Sequence, residues 1–139
     1  MQFHISDILS ITTGRLVSNR HIEGIYAILN HMTGDNLFTH QLPRATRECE
    51  PILAAAYPQL SKNDPVVAHE IKVLSYAMAN YPDDVPFAIL GCVSRIQAAH
   101  GLPEMLEVAQ LFHGESSHAD PMEELEQLVG KDRIIKVEL

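Results

Sequence analysis

Five of the eight prolines stand at the head of an apolar stripe, and this punctuation limits what the chain can become. Proline has no N–H and a fixed φ, so it opens a helix readily and interrupts one elsewhere. Asp64-Pro65 pairs an N-cap acid with a first-turn proline. From there Val67, Ile71, Leu74, Met78 and Tyr81 predict a helix with one inward face, ending at Pro82. Asp83-Asp84-Val85-Pro86 restarts the pattern, and Val85, Ile89, Val93 and Ile96 carry it to Gly101. Leu102-Pro103 opens a third helix, with Leu106, Ala109 and Phe112 inward and Gly114 as its stop. Joints this short between consecutive helices predict an antiparallel stack.

The same grammar covers the ends. Asp120-Pro121-Met122-Glu123 combines an N-cap, a first-turn proline and a Glu at N3. Met122, Leu125, Leu128 and Val129 face inward, and Gly130 ends that helix. Pro43 opens a helix over the next residues, and Pro51 predicts a kink or break near residues 48–51, then a short helix through Tyr57. Ser6 reads as an N-cap with Asp7 favourable in the first turn. Ile5, Ile8, Leu9 and Leu16 share a face there, and Gly14 is the stop, with residues 15–19 as a ragged continuation. Ile22, Ile25, Leu29 and Met32 predict a helix over residues 20–32, and Gly34 sits where a left-handed residue belongs. Residues 35–42 have no helical period. Leu37 and Phe38 are expected in the core, and residues 60–63 form a linker. Ile135, Val137 and Leu139 alternate with Lys136 and Glu138, so residues 134–139 read as a strand whose partner is residues 2–5. The expected fold is one α+β domain over residues 1–139. It is mostly α-helical, with about six or seven short helices and a two-stranded ribbon joining the N- and C-terminal segments.

Composition excludes several function classes. A chain of 139 residues can bury roughly 65–70% of its unfolded surface. With no Trp and 6% aromatic residues, aliphatic side chains must fill the core. No run approaches the roughly 18 apolar residues of a membrane span, and the start, MQFHISDILS, lacks a signal peptide's basic and apolar regions. A bacterial cytoplasmic address is the expectation. Cys49 and Cys92 read as two reduced thiols, and no CxxC pair offers a finger-type zinc site. The net charge is −8, with nine acids against three bases in residues 101–139. Phosphate neutralisation needs clustered Lys and Arg, so general nucleic-acid binding is not expected. An acidic face suits a basic protein partner, although it serves solubility as readily.

Residues 21–49 hold the densest mixture of reactive and basic side chains. Arg44 and Arg47 are i, i+3 at the start of a helix and share a face, with His40 just before them. An anion or small ligand could sit among His31, Asp35, His40, Arg44 and Arg47; the plainer account pairs the arginines with Glu48, Glu50 or Asp35. His40 and Cys49 suggest a base and nucleophile, yet Glu48 and Glu50 would raise the thiol pKa, and no catalytic motif is assembled. His113, His118 and Asp120 have the best metal-ligand spacing of the eight histidines, but Asp120 is already explained as an N-cap. No cofactor, metal or membrane partner is expected.

HISDILSITTGRL (residues 4–16) and ILNHMTGDNLFTHQLPRA (residues 28–45) resemble a family of small, uncharacterised phage and prophage proteins. DPMEELEQLVG (residues 120–130) resembles it less distinctly. The resemblance implies a viral or mobile-element accessory protein and transfers no catalytic role. The resulting expectation is a non-enzymatic protein that binds a bacterial host protein, a defence component being one candidate. Glu123, Glu124 and Glu126 would then contact the partner. The alternative is a small enzyme or anion-binding domain with its pocket at residues 31–47. Self-association through the helical stack is a third outcome.

Overall fold

The computed structural model describes residues 1–111. They run β1 (Gln2–His4), α1 (Ile5–Thr13), α2 (Ile22–Thr33), α3 (Leu42–Ala56), α4 (Pro65–Asn80), α5 (Val85–His100) and β2 (Met105–Glu107). Single 3-10 turns at Thr39–Gln41, Pro58–Leu60 and Pro82–Asp84 join the helices. The described chain is thus mostly helical, with five α-helices rather than six or seven. The helix expected over residues 120–130, the strand expected over 134–139, and His113, His118, Asp120, Glu123, Glu124 and Glu126 lie outside the described residues.

Helices α1, α2 and α3 pack on one another, and Ile8, Leu9, Ile28, Leu29, Met32, Ala45, Cys49 and Leu53 are buried there. Helices α4 and α5 pack chiefly on each other as an antiparallel hairpin. Val67, Leu74, Cys92, Val93 and Ile96 are its buried apolar residues. Beyond this base the hairpin projects: residues 75–91 contain no buried residue. The chain then returns to the body, where β2 pairs antiparallel with β1 in the register Gln2↔Glu107, Phe3↔Leu106, His4↔Met105.

Three of the glycine stops hold, and Gly114 and Gly130 lie outside the described residues. Gly14, Gly34 and Gly101 have φ of 71°, 74° and 61°, a left-handed turn that lets the last carbonyls find donors. Asp64 caps α4 as expected, its carboxylate accepting the Val66 and Val67 N–H groups at 3.1 Å.

Other expectations are corrected. Among the described residues β1 pairs with β2, and Leu102-Pro103 leads into that strand, so the third helix of the stack is absent. Leu106 and Val108 are buried at spacing two, while Met105 and Glu107 are exposed. Four or five residues with few apolar side chains cannot separate a period of two from one of 3.6, and the ribbon hydrogen bonds decide it. Pro51 does not break α3. It and Arg47, whose carbonyl loses its donor, both lie on the exposed side, where water replaces the bond. Ser6 is not the cap of α1: His4 is, and its ring nitrogen accepts the Ser6 N–H. Phe38, Ile22, Met78 and Tyr81 are exposed rather than inward, and Leu16 lies beyond the end of α1, also exposed.

Candidate functional site

Helix α1 is buried almost all round, so its polar residues must find partners. They find them in the loop of residues 15–21. Asp7 is fully buried; its Oδ1 accepts from Ser18 Oγ at 2.5 Å, and its Oδ2 pairs with Arg20 Nη2 at 2.6 Å. Ser10 Oγ donates to Ser6 O at 2.9 Å and accepts the Val17 N–H at 3.0 Å. Ser6 Oγ accepts the Asn19 N–H at 3.0 Å and lies 2.7 Å from His4 Nδ1, which also accepts the Ser6 N–H at 3.1 Å. A ring nitrogen that accepts is unprotonated, so the neutral His4 carries its proton on Nε2, 3.5 Å from Glu104 Oε1. Gly24 completes this hub. A Cβ there would overlap both Ser18 Oγ and Asp7 Oδ1, so only glycine lets α2 start this close to α1.

The hub holds the loop so that it faces α5 across a cleft of about 250 Å³. One wall is apolar: Val17, Pro86, Ile89, Leu90 and Val93. The other carries His4, Ser6, Ser18, Asn19 and His21. His21 begins α2 at φ 56°, ψ −137°, a backbone conformation that side-chain-bearing residues rarely adopt. It is the only non-glycine residue with positive φ among those described. A second cleft of about 300 Å³ shares His4 and Asn19 with the first and is also lined by Asp7, Arg20 and Met105.

The five residues singled out from sequence occupy different settings. His31, on α2, donates through Nε2 to Val108 O at 2.8 Å, and its ring lies 5.3 Å from that of Phe3, so it ties α2 to the chain leaving β2. Asp35 follows the Gly34 stop, and its N–H donates to Thr33 Oγ1. His40, in the 3-10 turn before α3, stacks on Phe38 with ring centroids 6.2 Å apart. Arg44 reaches both oxygens of Glu48 at 3.2 Å, one of the pairings that the plainer account foresaw. Arg47 lines a separate cleft with Thr13, Thr46, Glu50 and Lys62.

Cys49 is fully buried, and its thiol is pushed up to about 12 by that burial and by Glu48, with Arg44 pulling weakly the other way. Cys92 is likewise raised, to about 11, by burial and Glu70. Neither forms a thiolate near neutral pH, which removes the nucleophile from the His40–Cys49 idea. No group of three His, Cys, Asp or Glu side chains arranged to hold a metal ion occurs among the described residues. Nor is any described helix long and apolar enough to cross a membrane.

The hub and its loop of residues 15–21 fall inside one recognised segment. Residues 3–63 match a domain of unknown function, DUF7736. The matched segment spans β1, α1, α2 and α3 and stops one residue before Asp64 caps α4, so the hairpin and β2 lie outside it. No curated protein and no solved structure matches the chain.

Reading from sequence passed over this hub. The signal was available: Ser6 and Ser10 at i, i+4 and Asp7 stand among Ile5, Ile8, Leu9 and Ile11, a placement that buries polar groups whichever face is inward.

Proposed function

We propose that the protein is a non-catalytic interaction module, and that the projecting end of the α4–α5 hairpin is the surface it offers to another protein. The observation that carries this reading is the exposure of large apolar side chains there: Tyr76 is 62% exposed, Tyr81 55% and Phe87 76%, with Met78 beside them. Aromatic and Met side chains are the types that form interface centres. Asp83 and Asp84 stand at the hairpin turn of a chain of net charge −8, which favours an apolar partner surface rimmed by Lys and Arg. The resemblance of residues 4–16 and 28–45 to phage and prophage proteins supports a bacterial host protein as that partner, met in the host cytoplasm. A host defence component is one candidate, and Glu123, Glu124 and Glu126 are proposed to contact the partner as well.

The test is an affinity capture from bacterial lysate under a moderate salt wash, run with the wild-type chain and with Tyr76→Ser/Phe87→Ser. A stoichiometric host protein held by the first and lost by the second supports the reading, provided the variant keeps its circular dichroism spectrum. Equal capture by both assigns binding to another surface. A dimer in sedimentation that the double variant dissolves would replace the host partner with a second copy of the chain. Charge reversal at Glu123, Glu124 and Glu126 is expected to weaken capture.

The second reading places an anion or small ligand among His31, Asp35, His40, Arg44 and Arg47. What favours it is that His40 lies in the 3-10 turn directly before α3 and Arg44 in the first turn of that helix. It predicts that Ala at His40 and Arg44 abolishes binding of inorganic phosphate while leaving the melting temperature nearly unchanged.

A further inference from the structure

We infer that the cleft between α5 and the loop of residues 15–21 binds a small amphipathic carboxylate. Its apolar body lies along Val17, Pro86, Ile89, Leu90 and Val93, and its head group meets Asn19 and His21. The lining argues for both ends of such a molecule. The α5 wall is apolar without interruption, and Leu90 stays 65% exposed at its edge. The opposite wall holds donors but, among the described residues, no acid: neither Asp nor Glu lines the cleft, while two histidines and an asparagine are there. An ammonium group would find no counter-charge, whereas a carboxylate finds imidazole and amide N–H groups.

Which donors remain is settled by the hub. The Ser6 and Ser18 hydroxyls are engaged with His4, Asn19 N–H, Asp7 and Arg20 N–H, and His4 Nε2 faces Glu104. The side chains of Asn19 and His21 make no hydrogen bond among the described residues, and both lie exposed at the mouth. Backbone strain singles out His21 independently. At φ 56°, ψ −137° glycine would sit without strain, yet the chain keeps an imidazole there, at the cleft. Stability given up at a position that lines a cavity is the mark of a side chain retained for contact. The volume, about 250 Å³, holds about eight water-sized groups, the bulk of an eight-carbon acid.

The test titrates sodium octanoate into the isotopically labelled full chain and follows amide shifts, with octan-1-ol and sodium propanoate as parallel arms. The expected result is saturable octanoate binding, with shifts centred on residues 17–21 and 86–93 and both other arms at least about tenfold weaker. Octanol binding as tightly as octanoate would overturn the carboxylate assignment, and shifts spread over the surface would overturn the site. His21→Gly is expected to raise the melting temperature by about 3–6 °C while weakening octanoate about tenfold. A stabilised variant with undiminished binding would overturn the role of His21. Leu90→Asp, on an exposed position, should weaken octanoate without unfolding the chain. His21 lies outside the hairpin's protein-binding surface, so the His21→Gly outcome is independent of that reading.

Discussion

Helix α1 buries eight of its nine residues, among them Ser6, Asp7 and Ser10, whereas α4 buries three of sixteen and leaves Tyr76 and Met78 in water. Side-chain polarity does not explain the difference; position does. Helix α1 lies between β1, α2, α3 and α5, so every face meets protein, and its polar groups are tolerated because each has a partner. Among the described residues helix α4 has α5 along one side and little else, so beyond Leu74 its Tyr76 stays in water, its ring 6.3 Å from that of Tyr81. The contrast coincides with the end of the matched segment. The segment matched to the domain of unknown function holds the buried polar hub, and the hairpin beyond residue 63 holds six of the twelve exposed large apolar side chains among the described residues, Phe87 the most exposed of them. A body that spends its polar residues on internal precision and an arm that leaves its apolar ones unspent are a reasonable division between scaffold and contact.

Two glycines offer the sharpest way to break that comparison. In the body, Gly24→Ala drives a methyl into Ser18 Oγ and Asp7 Oδ1, neither of which can retreat without opening the hub. A loss of about 3 kcal/mol is expected in urea denaturation. In the hairpin, Gly91→Ala meets only the guanidinium end of Arg95, which can swing aside, and it gains helix propensity. That variant is expected to be unchanged or more stable by up to about 1 kcal/mol. Equal losses at both sites would mean that the hairpin is as tightly constrained as the body.

The buried acids give a smaller contrast of the same kind. Asp7→Asn keeps an acceptor for Ser18 but drops the charge that holds Arg20, so about 2 kcal/mol should be lost. Glu70, on α4, pairs with Arg95 at 2.9 Å, but that guanidinium is more than half exposed. Glu70→Gln should cost under about 1 kcal/mol by the same measurement.

The parts legible in sequence were those written by local chemistry. Asp64, Pro65, Gly14, Gly34 and Gly101 set helix ends through capping and left-handed turns, which need no knowledge of the rest of the chain. The ribbon was foreseen, but not its second strand, because residues 102–111 have too few apolar positions to reveal a period. The inward stripes of α4 and α2 were read too far. Met78, Tyr81 and Ile22 follow the helical period, yet periodicity states which residues share a face and not whether anything covers it. The candidate ligand residues are dense along the chain, whereas the hub and cleft assemble residues 4–24 with 86–93, a pairing that only the fold supplies.

The smallest expected effect lies where the hairpin closes on itself. His100, the last residue of α5, reaches Asp64 Oδ2 at 2.9 Å, joining the end of one helix to the cap of the other. Burial pushes the Asp64 carboxyl up. The Val67 N–H, the His100 hydrogen bond and charge, and the Val66 N–H together outweigh that push and hold it below the ordinary value of 3.8. A lowered folded value means that the contribution to stability is complete above the ordinary value and fades as pH falls through the folded one. His100→Gln removes the charge but leaves both backbone donors, so only part of the effect should go: under about 1 kcal/mol near pH 5. The gap between the two proteins should close as Asp64 becomes protonated in both. Urea midpoints measured down the acid limb give that gap directly. A gap that stays constant into acid would mean that His100 steadies the hairpin by packing alone, and that the cap of α4 stands without it.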